Sequence, residues 1–265
     1  MHQAMAYYRF SSLPAIQHGI FTRLGGVSEG QWSSLNLSRS TGDSAEPVSE
    51  NRRRSFDALG LKPEHSVTSW LVHGNAVRVV THDDMGEDLV HADAMVTQTR
   101  GLALTLRFAD CVPVLFHDPV KGAIGIAHAG WKGIVYGVLP ETVRAMQRAF
   151  GSRPQDIIAG VGPCIGPDKF EVGDDVAAQI QSAVCVDVIR RQSENHLVTS
   201  SPHHPVTLPK KPYVDLWKAA ASQLNDAGVG QVEVAGICTA SNTHEWFSHR
   251  AEHGKTGRFG AVIVL

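Results

Sequence analysis

The 265-residue sequence predicts a single α+β domain, and three observations carry that expectation. Apolar β-like runs and amphipathic helical patterns both occur along the chain, no internal repeat or low-complexity segment divides it, and no linker separates two cores. A hydrophobic fraction of 43% and a charged fraction of 19% are those of a globular protein long enough to bury a core without covalent staples.

The elements follow in order. Residues 18–43, HGIFTRLGGVSEGQWSSLNLSRSTGD, begin apolar and then fill with Gly, Ser and Asn, which predicts a strand running into a long ordered loop. Residues 47–59 have a Pro start, good helix formers and a Gly60 stop, the marks of a helix. SVTSWLVHGNAVRVV at 66–80 reads as two β-like runs around HGN, with His73 at the turn. ADAMVTQ and LALTLR suggest a strand pair joined by Thr99, Arg100 and Gly101. CVPVLFH and GAIGIAH, separated by DPVKG, predict a hairpin. Beyond AGWKG, residues 134–150 carry a helical pattern in which Pro140 marks a kink or the true start.

IIAGVG at 157–162 reads as a strand, and GDDVAAQIQSAV as a helix whose N-terminal acids complement its dipole. The polar stretch 190–212, with four prolines, reads as a loop excursion. YVDLWKAAASQLNDAG predicts a helix from the spacing of Val214, Trp217, Ala221 and Leu224, ended by Gly228. VEVAGI and the C-terminal FGAVIVL read as strands.

Charge and cysteine usage exclude several classes. A formal charge of −2 gives no case for nucleic acid or an anionic membrane surface, and the densest basic cluster, Arg52 to Arg54, has Glu50 and Asp57 beside it as on a solvated face. No apolar run approaches spanning length, and the N-terminus lacks the apolar core of a secretory signal. The four cysteines form no CxxC pair. A cytoplasmic, reducing setting is therefore expected.

Residues 101–133 frame the chemistry, because two apolar runs each deliver a reactive side chain, Cys111 and then His128. With His73 they form a possible His/Cys/His set. Thiolate and imidazole suit Zn²⁺, and three protein ligands leave a fourth position open, as in catalytic sites. The residues alone leave open a buried cysteine with two hydrogen-bonded histidines, or a catalytic dyad. A helix starting after Gly130 could hold phosphate with Lys132, or that lysine is simply solvated. HEWFSH at 244–249 spaces its histidines five apart, not the four of a zinc-protease helix, and GVGPCIG at 160–166 has the wrong glycine spacing for a dinucleotide loop. SHRAEHGKTGR at 248–258 could supply cationic contacts to an anionic substrate.

Taken together, FTRLGGVSEGQWSSLNLSRSTGD, VHG, ADAMVT, ADCVPVLF, AHAGWKG, GPCIGPDKFEVG, DLWKAAASQL, CT and SHRAEHGKTGR resemble, in order, the laccase-domain (polyphenol oxidase) family, now described as multifunctional purine nucleoside phosphorylases. The resemblance runs from about residue 18 to the end. It implies an α+β single domain over 1–265 with two mixed β-sheets flanked by helices. It also implies zinc on His73, Cys111 and His128, which become both metal ligands and catalytic residues. The implied activities are phosphorolysis of adenosine, inosine, guanosine and methylthioadenosine, plus adenosine deamination. Purine nucleosides and phosphate are then the partners, with Arg23, Asn36, Arg52, Lys132, Arg250 and Arg258 as substrate-binding candidates by motif position. Asp93 and Asp110 are candidates to orient the ligand imidazoles.

Leu71 and Lys132 depart from the family's usual Gln and Arg; the lysine keeps the charge and loses the planar fork. Rival readings are a copper-dependent polyphenol oxidase, which the family's older name suggests, a cysteine hydrolase with Cys111 as nucleophile and His128 as base, for which the resemblance suggests editing of peptidoglycan precursors, and a non-enzymatic binding module. Clustered HxH pairs, which multicopper catalysis needs, are absent from the sequence.

Overall fold

The computed structural model describes residues 5–86, 91–191 and 211–265, so the expected excursion at 190–212 lies almost wholly outside the described residues. In chain order the elements are strands β1 (Tyr7–Tyr8) and β2 (Gln17–Phe21), helix α1 (Ala45–Ala58), then β3 (Ser66–Val67), β4 (Val77–Val79), β5 (Ala94–Thr97), β6 (Ala103–Phe108), β7 (Val112–Asp118) and β8 (Ala123–Ala129). They continue with α2 (Trp131–Tyr136), α3 (Val138–Phe150), β9 (Ile158–Val161), α4 (Asp174–Ser182), β10 (Ile189–Arg190), β11 (Tyr213–Val214), α5 (Leu216–Asp226), β12 (Gln231–Val234) and β13 (Phe259–Val264).

Two mixed sheets dominate, as expected. One runs β1-β2-β13-β6-β3 and the other β12-β9-β7-β8-β5-β4, while β10 and β11 form a separate ribbon. Each large sheet is antiparallel at its centre, with a parallel strand at an edge: β3 on β6 in the first, β4 on β5 and β12 on β9 in the second. Side-chain alternation explains the layering. Along β7, Val112, Val114 and Phe116 join the helices α2 to α5 in one core, whereas Leu115 faces the other sheet. Ile124 and Ile126 of β8 pack there too, against Leu104 and Leu106 of β6 and Ile263 of β13. The outer face of the first sheet is covered by Phe56 and Leu59 at the end of α1, together with Leu35 and Leu37 of the loop before it.

Several local expectations are corrected. β5 and β6 do not pair: β5 lies between β8 and β4, and β6 between β13 and β3, so the turn at 99–101 carries the chain from one sheet to the other. The runs around HGN likewise end in different sheets, with residues 68–76 as a loop between them. Helix 134–150 is two helices that meet at Gly137, in the left-handed region at φ 72; Pro140 sits in the first turn of α3, where its missing N–H costs nothing. The helix expected at 213–228 starts three residues later, because the Asp215 side chain caps it by accepting from the Lys218 N–H at 3.0 Å. Val214 keeps its core place from a strand instead. Gly160, in the stretch that superficially resembled a nucleotide loop, has a packing reason: a Cβ there would lie 2.4 Å from the Phe10 ring.

Candidate metal centre and active site

Three local devices deliver His73, Cys111 and His128 to one place. His128 follows the alternation of β8, on the same face as Ile124 and Ile126, and its ring centroid lies 5.5 Å from that of Phe108. Cys111 directly precedes β7, after Asp110 has turned the backbone into the left-handed region at φ 84. That conformation costs a non-glycine residue on the order of 1 kcal/mol. It is held by three contacts: the Asp110 carbonyl accepts from Ile165 N–H at 3.0 Å, and its carboxylate accepts from Thr239 Oγ1–H and from Arg250 N–H, each at 2.7 Å.

His73 is also left-handed, at φ 59, and Asp93 is the reason it stays so. The fully buried Asp93 carboxylate accepts from the backbone N–H of His73 at 2.9 Å and of Gly74 at 2.7 Å, and more weakly from Val72 at 3.3 Å. The oxygen that holds His73 also accepts from Nδ1 of His128 at 3.0 Å. One carboxylate thus fixes two of the three residues. Asp93 orients the His128 imidazole; Asp110 contacts neither imidazole, and instead ties the Cys111 turn to the segments of Thr239 and Arg250.

One nitrogen or sulfur from each of His73, Cys111 and His128 lies within 4.8 Å of the others, and among the described residues this is the one such group. The two imidazole rings meet edge to face at 4.9 Å. Burial pushes the Cys111 thiol up, but the His128 charge and hydrogen bonds from both imidazoles outweigh it and bring the pKa down to about 6. Burial likewise pushes His128 down, and the Cys111 thiolate with the Asp93 carboxylate overrides it, raising the pKa to about 9. Asp93 is pushed up by burial but held below the usual carboxylate range by His128 and the Gly74 and His73 amides.

The group suits a metal on its own chemistry. With Nδ1 of His128 committed to Asp93, Nε2 is left for a ligand, and thiolate with two imidazoles is a set that takes Zn²⁺ or copper. Space for it depends on Gly130, where a Cβ would stand 2.9 Å from Cys111 Sγ and 3.5 Å from the His73 ring.

The three residues open into a cavity of about 1050 Å³. Apolar side chains, among them Phe108, Ile165, Phe170 and Trp131, line part of it, and five arginines line it too: Arg39, Arg52, Arg107, Arg250 and Arg258. Among the described residues two carboxylates, Asp110 and Glu171, line the cavity with them. Asp110 is taken by Thr239 and Arg250, and Glu171 pairs with Lys211 and Tyr213. Such a wall attracts anions.

Of the sequence candidates, Arg52, Arg250 and Arg258 line this cavity and Arg23, Asn36 and Lys132 do not. Arg23 stacks on Phe247 and bonds to Ser33 O, Thr243 O and Glu252, so it ties the long loop to the C-terminal segment. Asn36 is buried within that loop. Lys132 is exposed, with its Nζ 5.6 Å from the Trp131 ring centroid, although a helix does begin at Trp131 as expected. Leu71 places an apolar side chain on the cavity wall. Arg39 and Arg107 were absent from the candidate set. Arg39 stood inside the quoted SLNLSRSTGD motif, but nothing in its spacing set it apart from the solvated residues around it.

Comparison with known proteins agrees with this architecture. Residues 17–265 match the family described as multi-copper polyphenol oxidoreductase laccase. A Deinococcus radiodurans protein named purine nucleoside phosphorylase is 40% identical over 252 residues, spanning 95% of this chain and 90% of its own. Escherichia coli YfiH, named a purine nucleoside phosphorylase, is 35% identical over 246 residues, 92% of this chain and 91% of its own. The crystal structure of YlmD from Geobacillus stearothermophilus superposes with a TM-score of 0.86 at 32% identity, covering 100% of this chain and 97% of that one. The chain belongs to the multi-copper polyphenol oxidoreductase laccase family, the laccase-domain family that its motifs resemble.

Proposed function

We propose that the protein is a zinc-dependent purine nucleoside phosphorylase acting on adenosine, inosine, guanosine and methylthioadenosine, with adenosine deamination as a second activity. The observation that carries this reading is the convergence of His73, Cys111 and His128 at a large cavity walled by arginines and aromatic side chains. Relatives that align over nine-tenths of the chain carry the name of that activity.

In phosphorolysis a phosphate oxygen bonds to C1′ of the ribose, the bond from C1′ to N9 breaks, and the purine leaves with the electron pair and takes up a proton. The arginine wall gathers phosphate and holds it by charge-assisted hydrogen bonds. Phe108, Phe170 and Trp131 offer apolar faces for the purine and exclude water from around it. Stacking does not read the 6-substituent, which is why 6-oxo and 6-amino purines fall in one substrate class. Zinc, when bound, supplies a Lewis acid at the cavity. Asp93 keeps the imidazoles of His73 and His128 in place for it. Deamination of adenosine uses the same cavity: a water oxygen bonds to C6 of the purine, the bond from C6 to N6 breaks, and the amine takes up a proton and leaves as ammonia, giving inosine.

Zinc is preferred to copper because multicopper chemistry needs several His-rich clusters, and the described residues bring together one three-donor group. Metal analysis with a visible spectrum separates the two, since copper on a thiolate is coloured. All four cysteines are free, which suits a reducing cytoplasmic setting where a thiolate ligand survives. The lowered Cys111 pKa beside His128 also supports a second reading, the peptidoglycan-precursor hydrolase with Cys111 as nucleophile. A covalent adduct on Cys111 during turnover supports that reading, and chelator-sensitive turnover without one supports the metal enzyme. The direct test incubates metal-loaded protein with inosine and phosphate. Ribose 1-phosphate and hypoxanthine in equal amounts are expected, and their absence from folded, metal-loaded protein overturns the proposal.

A further inference from the structure

Departure of the purine in phosphorolysis requires a proton, and few groups at the cavity can give one. Among the described residues that line it, four carry a side chain of a type that holds and releases a proton near neutral pH: His73, Cys111, His128 and His249. The first three converge as metal donors. The arginines keep their protons too tightly to pass them on. Both lining carboxylates are occupied as acceptors. Asp110 receives Thr239 and the Arg250 N–H, and Glu171 is held below the usual carboxylate range by Lys211 and Tyr213. His249 is left uncommitted.

The turn that carries His249 is pinned from several directions. Ser248 N–H donates to Glu252 Oε2 at 2.9 Å, Ala251 N–H to Ser248 Oγ at 3.1 Å, and Gly254 N–H to the His249 carbonyl at 2.8 Å. Arg250 N–H reaches Asp110, the neighbour of Cys111, at 2.7 Å. The Arg250 guanidinium donates to Glu171 O at 2.9 Å and lies 5.5 Å from the centroid of the Phe170 ring. The turn therefore adjoins both the Cys111 segment and an aromatic face offered to the purine. Gly254, at φ 80, leaves room for the imidazole, since a Cβ there would lie 3.3 Å from its Cε1. Charged neighbours on the turn are engaged elsewhere: Glu252 by Arg23, Ser248 and Thr256, and Arg250 by the carbonyls of Lys169 and Glu171. Among the described residues no group takes up the His249 ring nitrogens. The residue is exposed, so water can restore a proton once it has been given away.

We infer that His249 is the general acid of phosphorolysis, a catalytic residue outside the His73/Cys111/His128 group. Its imidazolium gives a ring N–H proton to N7 of the purine as the bond from C1′ to N9 breaks. The electron pair of that bond passes into the purine ring, and the neutral imidazole takes a proton back from water. The inference deepens the proposed phosphorylase reading and rests on it.

The experiment assays metal-loaded protein with phosphate and either inosine or 7-methylinosine. In 7-methylinosine N7 already carries a methyl group and a positive charge, so the base leaves neutral without taking up a proton. His249→Gln and His249→Ala alter an exposed side chain. Both are expected to lower kcat on inosine by about 100-fold. On 7-methylinosine the same variants should stay within about threefold of the wild type, a split that a merely structural role of His249 would not produce. His253→Asn changes an exposed histidine of the same turn that does not line the cavity, and asparagine tolerates the left-handed backbone there at φ 53. It is expected to change neither rate.

Wild-type kcat on inosine in His249→Gln, or equal losses on the two nucleosides, overturns His249 as the acid and leaves the phosphorylase reading standing. Cleavage of 7-methylinosine but not of inosine by the wild type also overturns the assignment, because it shows that no acid operates. Failure of the wild type to cleave either nucleoside overturns the phosphorylase reading and the inference with it.

Discussion

Replacing Asp93 by Asn is the sharpest single perturbation of the site, because it keeps volume and removes one acceptor. The carboxylate receives four hydrogen bonds: His73 N–H and His128 Nδ1–H on one oxygen, Gly74 and Val72 N–H on the other. An amide oxygen serves one of these pairs, and its NH₂ then faces two donors. If it keeps His73 and His128, the half-buried Gly74 amide loses a 2.7 Å bond to a charged group and faces an N–H instead. Losing such a bond costs about 1.5–3 kcal/mol, and the weaker 3.3 Å bond to Val72 adds less. A total of about 2–4 kcal/mol corresponds to a drop in Tm of roughly 4–8 °C for a chain of this size. Metal affinity falls with it, by about 10- to 100-fold, since both the left-handed turn at His73 and the His128 tautomer depend on this residue. Thermal unfolding of metal-free protein gives the first number and competition with a chromophoric chelator the second. Wild-type Tm and wild-type metal affinity in Asp93→Asn would refute the reasoning.

Other expectations concern the same group. Cys111→Ser removes the soft donor and should leave folded protein with less than a tenth of wild-type zinc occupancy after dialysis; full occupancy contradicts a thiolate ligand. Gly130→Ala places a Cβ 2.9 Å from Cys111 Sγ at a φ of −71, which alanine adopts freely, so it should weaken metal binding at least tenfold with Tm of the metal-free protein changed by less than about 3 °C. In metal-free protein the Cys111 thiol, pulled down to about 6, should be alkylated with a rate that rises through that pH rather than near 9. Linkage sets the pH range of its stability. The lowered Cys111 contributes stability that is lost as pH falls through about 6, and the raised His128 contributes stability that is lost as pH rises through about 9. Over that range the Cys111 contribution grows with pH as the His128 contribution fades, so the two offset and the pair should leave the metal-free Tm nearly level between about pH 6 and 9; a Tm that changes steeply across the range in the wild type and not in Cys111→Ser would contradict the thiolate and imidazolium pair.

The hairpin of β7 and β8 was legible in the sequence because DPVKG interrupts two apolar runs of matched length, and the reactive positions followed from where those runs begin and end. Cys111 and His128 were visible as residues on this hairpin. What brings His73 to them is Asp93, whose role depends on a register between β5 and β8 that no local pattern reports. Sheet membership was illegible for a similar reason. Residues 94–97 and 103–108 each look like strands, and a short turn between two strands suggests a hairpin. Here it joins two different sheets, since both strands find longer-range partners. Arg23 and Asn36 show the converse: the motif marked them, but their polar atoms are taken up in holding the loop rather than in lining the cavity. Spacing cannot separate an arginine that meets a ligand from one that meets a carbonyl.

The account turns on one quantity, the rate of inosine phosphorolysis as a function of zinc bound per chain. Metal-free protein titrated with zinc should gain activity in proportion to occupancy and level off at one zinc per chain, with hypoxanthine and ribose 1-phosphate formed in equal amounts. Full activity without metal, or none with His73, Cys111 and His128 fully loaded, would contradict it.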